Sequence, residues 1–480
     1  MRTGNILLQK STATDTDYSA PTRKLTAPDD CCYVSEMDVF QMLDTLPPTA
    51  TGLDQIPAWF LRLGAPIFAA PLARLFHQSL ATGVVPHQWK TAAIKPMPVP
   101  KIAAPTQPSN YRPISITPVL SRSLERIVVR EFIYPALLKP YQTLNFCDQF
   151  AFRPTGSTTA AIVAMLFTVR SLLADNDFVF AFDFSKAFDT VRHVTLAGKL
   201  AQLELPDSIY NWAVDFLDNH AHCTKHAGLV SAVAVIQASV IQGSALGPAS
   251  YIVTAADLHS VYGSNIIFKF ADDTYLAVPG DATYTCKNEI AHLQTWAADN
   301  NLRLNREKTK EIIFSARRKG ALPPPLSGIE RVPSLRVLGV TVNDKLTADD
   351  HVARLLSSGT SLLYAMRVLR SHGTLPSSLH DIFRATVVSR IQYAAPAWSG
   401  MCSTADRTSL LRRSKRLGYC SDDVPVVADL FNTADDDFFH RVNTNSDHVL
   451  QPYLPDQSNI SYQLRNRSHD ITLINKTILK

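Results

Sequence analysis

Asp272 and Asp273 stand between two strongly β-forming runs, Ile266-Ile267-Phe268-Lys269-Phe270 and Tyr275-Leu276-Ala277-Val278, a pattern that describes a tight hairpin with acids at its tip. Adjacent aspartates also occur at 29–30, 349–350 and 422–423 and as a triplet at 435–437, so the flanks set this pair apart, not the adjacency. Asp183 closes the apolar run Phe178-Val179-Phe180-Ala181-Phe182 and ends a strand that must be largely buried, where a lone charge is costly. Carboxylates from two neighbouring strand ends form a hard oxygen cluster suited to Mg²⁺, which takes one or two protein carboxylates and leaves its other positions to water and phosphate. Two such ions about 4 Å apart would activate an attacking hydroxyl and steady a leaving pyrophosphate. Locally, Asp183 also suits the N-cap of a helix beginning SKAFDTV, and Asp272-Asp273 a plain hairpin turn.

The acids need elements to carry them. β-type segments are expected at 177–184, more weakly near Ala232–Val240, and at 266–278, with helices over 186–204 and 246–260 between them. This mixture predicts an α+β sheet layer with helices packed on one side. Upstream, helical periodicity runs from Trp59 to about Ser79. WKTAAIKPMPVPK follows, and its prolines at 96, 98 and 100 allow only an edge strand or a strand-like loop. The helix after Ser115 carries Arg122, Arg126 and Arg130 on one face, and another helix starts near Ser157. Downstream come a proline joint at 323–325, a strand pair in RVLGVTVND, a mostly helical stretch over 349–417 and a polar tail.

Composition narrows the classes. At 480 residues with 46% hydrophobic and 19% charged residues, the chain is a folded protein of more than one subdomain, not a solvating disordered one. A net charge of +5 permits an anionic partner without demanding one. There is no G-x-x-x-x-G-K-[ST] phosphate loop and no H-E-x-x-H helix. Seven cysteines, scattered and never spaced C-x-x-C, fit free thiols in a reducing compartment. His220, His222, Cys223 and His226 cluster in sequence, but no further ligand stands near enough to make them a zinc site. With no apolar leader and no long apolar run, the expectation is an intracellular protein of cytoplasm and nucleus, neither secreted nor bound to a membrane.

FDFSKAFDTV, IQGSALGP, FADDT and LNREKTK occur in the order and approximate spacing of palm motifs A to D of reverse transcriptases. DQFAFRPTGST and YRPISITPVLSRSLERIV resemble the preceding fingers motifs, and LGVTVND looks like motif E. The wording is most similar to non-LTR retrotransposon polymerases of the LINE type, Jockey-like, over roughly residues 50–420. The resemblance implies a right-hand polymerase with fingers, a palm with an antiparallel sheet and a helical thumb. Its parts would be a loosely ordered lead-in over 1–50, N-terminal helices and fingers over 51–175, palm over 176–345, thumb over 346–420 and a polar C-terminal tail over 421–480.

By the same resemblance Asp183, Asp272 and Asp273 would hold two Mg²⁺ ions, with Mn²⁺ as a substitute, and the Phe184 backbone would lie by the triphosphate. Phe188 looks like the steric gate that excludes a 2′-OH, which disfavours a polymerase of ribonucleotides. Gln242 and Gly243 are similar to the motif B loop that meets nucleotide and template, with Ile241 where the family often has Pro. Lys308 matches the motif D lysine proposed to protonate pyrophosphate, and Arg112, with Lys95 and Lys101, resembles the fingers cations that grasp the triphosphate. The basic stretches 303–319 and 407–416 would follow template and primer. The implied partners are an RNA template, a DNA or RNA primer, deoxynucleoside triphosphates and a separately encoded endonuclease. The competing reading is a catalytically silent RNA-binding remnant or a host-adopted retroelement protein.

Overall fold

The computed structural model describes residues 22–23, 32–98, 107, 110–139, 144–172, 176–182, 184–185, 190–236, 238–315, 324–402, 419 and 425–454, with backbone alone at 176–181, 184–185 and 315. Lys101, Asp183, Phe188 and the basic stretch 407–416 lie outside the described residues.

Helix α1 (Glu36–Asp44) is set by a reciprocal cap, in which Ser35 Oγ accepts from the Asp38 amide at 3.1 Å and the Asp38 carboxylate accepts from the Ser35 amide at 3.3 Å. Helix α2 (Ala65–Thr82) stops at Gly83, whose φ of +67° is the left-handed conformation that ends helices. Then come β1 (Thr91–Pro98), β2 (Tyr111–Ile116), α3 (Val119–Val128) with a π-helical turn over Val129–Ile133, and α4 (Thr158–Leu172). The middle of the chain supplies β3 (Asn176–Phe182), β4 (Phe184–Ser185), α5 (His193–Leu200), α6 (Asp207–Leu217), β5 (Ala221–His226), β6 (Leu229–Val230), β7 (Ala234–Val235) and α7 (Leu246–Thr254). The hairpin β8 (Ile266–Phe270) and β9 (Asp273–Val278) follows, then α8 (Cys286–Asp299), β10 (Arg303–Leu304), β11 (Lys310–Ser315), β12 (Glu330–Arg331), β13 (Ser334–Val337) and β14 (Val340–Asn343). The C-terminal part includes α9 (Asp349–Ser371), α10 (Ala395–Trp398) and α11 (Val427–Thr444).

One sheet has the order β2-β1-β5-β6, with β7 also on β5. Strand β1 pairs with β5 over Thr91–Ile94 and with β2 from Ala93 onward, so it is an inner strand at Ala93–Ile94, and the edge strand expected from the prolines is found only beyond that point. There Pro96 and Pro98 have β2 alone as a partner, so no amide is missed.

The second sheet runs β12-β11-β3-β9-β8 and is antiparallel except at β12. Contrary to the one-sided expectation, it is covered on both faces. Phe182, Ile267, Leu276, Val278 and Ile313 face the core shared with α3, α5, α6 and α7, while Phe268, Tyr275, Ala277, Ile312 and Phe314 face a second core built with α4 and the C-terminal helices. Two buried faces explain why these strands read as continuous apolar runs instead of alternating ones. Helix α7 ends at Thr254, short of residue 260, and of the weak segment 232–240 only β7 is a strand. Within the stretch expected as a polar tail, α11 buries Val427, Leu430, Phe431 and Val442, and the Phe431 ring meets Trp398 edge-on at 5.3 Å.

Candidate active site

Strands β8 and β9 pair from Ile266↔Ala277 to Phe270↔Asp273, leaving Ala271 and Asp272 as the turn. Ala271 has φ +55°, the left-handed region where an L side chain is strained. Support comes from Gln149, whose Oε1 accepts from the amides of Ala271 at 3.1 Å and Ala151 at 3.0 Å. The backbone of 148–150 lies along β8, with the Lys269 amide on Asp148 O at 2.7 Å and the Phe150 amide on Lys269 O at 2.8 Å.

Below the turn Lys269 is 1% exposed. Its ammonium pairs with Asp148 at 3.0 Å and donates to the carbonyls of Ala255 at 2.8 Å and Leu258 at 3.0 Å. The two carbonyls take hydrogen bonds from the ammonium, while Asp148 Oδ1 stands at ion-pair distance without a hydrogen bond of its own. Burial pushes the Asp148 carboxyl up, and Lys269 opposes that shift. Sequence reasoning missed Gln149 and this ion pair, although a lysine inside the apolar run IIFKF already demanded a buried partner.

Asp272 and Asp273 are half-buried. Burial first, and then the charges of both aspartates, push the Tyr251 hydroxyl well above its ordinary range, and burial with Asp273 does the same for Tyr275. The two carboxylates therefore share one neighbourhood with two protonated phenols, one from α7 and one from β9. Asp183 lies outside the described residues, but its neighbours are placed: Phe182 pairs with Thr274, next to Asp273, and the Phe184 backbone pairs with Leu304. The exposed Lys308 sits in the 305–309 turn between β10 and β11. Because Leu304 pairs with Phe184 and Lys310 with Ala181, that turn spans the junction of β3 and β4.

Gln242 and Gly243 precede α7. The Ser115 amide of β2 donates to Gln242 O at 2.7 Å. Gly243 has φ +121°, and a Cβ there would lie 2.2 Å from Ser115 O, so backbone meets backbone with no room for a side chain. The fully buried Glu125 of α3 caps α7, accepting from the amides of Ala245 at 2.7 Å and Leu246 at 3.1 Å and from Ser121 Oγ at 2.9 Å. Arg112 and Lys95 are exposed on one face of the first sheet, since Met97↔Arg112 and Lys95↔Ile114 are consecutive same-face pairs. The Arg122 guanidinium donates to Ala50 O at 2.6 Å, whereas Arg126 and Arg130 line a groove of about 900 Å³ with α1. The structure thus makes two groups, the acid hairpin and the loop on β2, and α7 joins them, starting beside Gly243 and carrying Tyr251 to the acids.

For a divalent ion the hairpin offers two adjacent, half-exposed carboxylates, the hard oxygen donors Mg²⁺ takes. Among the described residues no group of three or more His, Cys, Asp or Glu could hold a metal. The fit therefore rests on Asp272 and Asp273, with Asp183 as the third donor implied by the motif.

The chain matches the family described as reverse transcriptase (RNA-dependent DNA polymerase) over residues 99–342, about half its length, and belongs to that family. Its helix-and-sheet fold is the right-hand polymerase fold, whose palm has the antiparallel sheet seen in β11-β3-β9-β8. Reverse transcriptases generally use divalent metals. The chain is 30% identical over 301 residues to an RNA-directed DNA polymerase from mobile element jockey of Drosophila melanogaster, covering 59% of this chain and 32% of that protein. A probable RNA-directed DNA polymerase from transposon X-element of the same organism is 25% identical over 337 residues, covering 66% and 36%. The chain spans about a third of the length of these relatives. Among solved structures, apo telomerase from Candida tropicalis aligns with a TM-score of 0.42 at 12% identity, covering 80% of this chain and 74% of that one. Among the described residues no helix is long and apolar enough to cross a membrane.

Proposed function

We propose that this chain is an RNA-directed DNA polymerase, adding deoxynucleotides to a primer 3′-OH on an RNA template. Asp183, Asp272 and Asp273 would hold two Mg²⁺ ions, or Mn²⁺. The observation that carries the reading is the register of β3 against β9: with Phe182 across from Thr274, a strand continued by one residue would set Asp183 across from Asp273. Bound divalent ions would favour deprotonation of the primer hydroxyl and offset phosphate charge.

The protein's own groups then divide the work. Arg112 grips triphosphate oxygens with its planar fork, assisted by Lys95. Gly243 lets the loop backbone approach the base pair, with Gln242 beside it. The Phe184 backbone lies by the triphosphate, and Phe188 closes the space a 2′-OH would need. Lys308 gives a proton to the departing pyrophosphate, and its turn beside the β3–β4 junction suits that task. The protein would work in cytoplasm and nucleus.

Primer extension on a homopolymer RNA with Mg²⁺ or Mn²⁺ tests this. Asp272→Ala should reduce incorporation by roughly 10³-fold or more with an unchanged melting temperature. Equal incorporation by both proteins would overturn the site, and a folded wild type that incorporates nothing would favour the silent RNA-binding remnant.

A further inference from the structure

Behind the Gln242 loop lies a small cavity of about 10 Å³ lined by His220, His222, Ser115, Ser239, Ile241 and Gln242. The two histidines belong to the inner face of the first sheet, with His222 in β5 beside Ala92 of β1. They are 0% and 2% exposed. His220 Nδ1 lies 3.2 Å from Phe216 O, which accepts only, so Nδ1 carries the proton and Nε2 presents a lone pair. That Nε2 and both ring nitrogens of His222 are buried and make no hydrogen bond to protein. Burial drives the His220 ring to a pKa of about 3 and the His222 ring to about 4, so both are neutral at physiological pH. A neutral His222 has one donor and one acceptor nitrogen to satisfy. The space is about that of one water, and a buried water needs two to four polar partners.

The loop on the other wall is set under strain. Ser239 has φ +108°, and its amide donates to Val191 O at 2.8 Å while its carbonyl lies 3.0 Å from His193 Nε2. The same segment leads directly to Gln242, whose carbonyl already takes the Ser115 amide. Gly243, pressed on Ser115 O, leaves the loop little freedom on the sheet side.

We propose that His220 and His222 hold one internal water that braces the Gln242–Gly243 loop against the β2-β1-β5 sheet, making both histidines positioning residues for the nucleotide site. The water donates to His220 Nε2 and exchanges a second hydrogen bond with His222, leaving its further capacity for the wall that carries Ser239 and Gln242. The water reduces the unpaired buried ring nitrogens from three to one, and leaving all three unpaired would be a costly arrangement for one wall of a substrate loop. The inference rests on the polymerase reading only for its kinetic consequence; the water itself does not depend on it.

The test pairs density with kinetics. A crystal structure of the wild-type protein at better than about 2 Å should show one ordered water within hydrogen-bond reach of both His220 Nε2 and His222. An empty or apolar-filled cavity would overturn the proposal whether or not the protein extends primers. In primer extension, His222→Phe should raise the KM for deoxynucleotide about fivefold with kcat within about twofold, and His222→Gln should restore it. A lowered melting temperature in both variants with unmoved KM would reduce the histidines to core packing. A wild type that shows the water but extends no primer would sink the polymerase reading and leave the water standing.

Discussion

The palm hairpin and the inner face of the β2-β1-β5 sheet bury polar side chains in opposite ways. Under the hairpin, the buried Lys269 side chain has an ion-pair partner in Asp148 and hydrogen-bond acceptors in two carbonyls. Behind the Gln242 loop, His193, His220 and His222 are held neutral by burial, with pKa values of about 4, 3 and 4. A buried ion pair held by fixed neighbours tolerates little displacement, so it pins the turn that carries Asp272 and Asp273. Of the neutral histidines, the His220 and His222 rings have nitrogens without a protein partner that can be satisfied through a small mobile molecule, which suits the nucleotide-contacting role proposed for the loop. The acids are anchored and the loop is braced.

The comparison breaks most readily at Lys269. Lys269→Met leaves Asp148 buried without its partner and should cost about 3–5 kcal/mol in urea unfolding, and a loss under 1 kcal/mol would mean that the pair is not the anchor. Acid is the next probe. The unfolded chain takes up protons at the ordinary histidine pKa of 6.5 while the folded chain refuses them until about pH 4, so stability is complete above 6.5 and lost as pH falls toward 4. Each of the three rings should cost about 2 kcal/mol at pH 5, read as a falling urea midpoint between pH 7.5 and 5, whereas a flat profile would show that they take up protons as readily in the folded chain as in the unfolded one. Gly243→Ala should lose about 1–3 kcal/mol from the backbone conformation, with a further loss from the clash of its Cβ with Ser115 O, and should impair nucleotide use through displacement of Ser115. An alanine variant with wild-type KM would show that the close approach of loop and sheet has no part in substrate binding.

The elements of the palm were legible because their apolar runs are long and their turn acids stand out, as in IIFKFADDTYLAV. Coverage on both faces was not, since a continuous run shows burial without saying what lies on each side. The middle-strand role of β1 was hidden by Pro96 and Pro98, which signal an edge correctly for their own positions but not for Ala93–Ile94. Helix α11 was obscured because Val427, Leu430 and Phe431 are embedded among Asp and Asn. In the site, the motif residues were readable one by one, while Gln149, Glu125 and the histidines were not. Their roles come from partners distant in sequence, such as Ala271 for Gln149 and Leu246 for Glu125.

Thr155, in the loop before α4, accepts the Val449 amide at 3.0 Å across 294 positions of chain, and Tyr453 sets its ring edge-on against Phe167 at 5.9 Å. During synthesis, then, the hydrophobic seam under α4 stays open until almost the last described residue has left the ribosome. A gene copy with a premature stop near residue 420 would release a polypeptide with Trp398 stripped of its Phe431 neighbour, a natural target for chaperones and proteases.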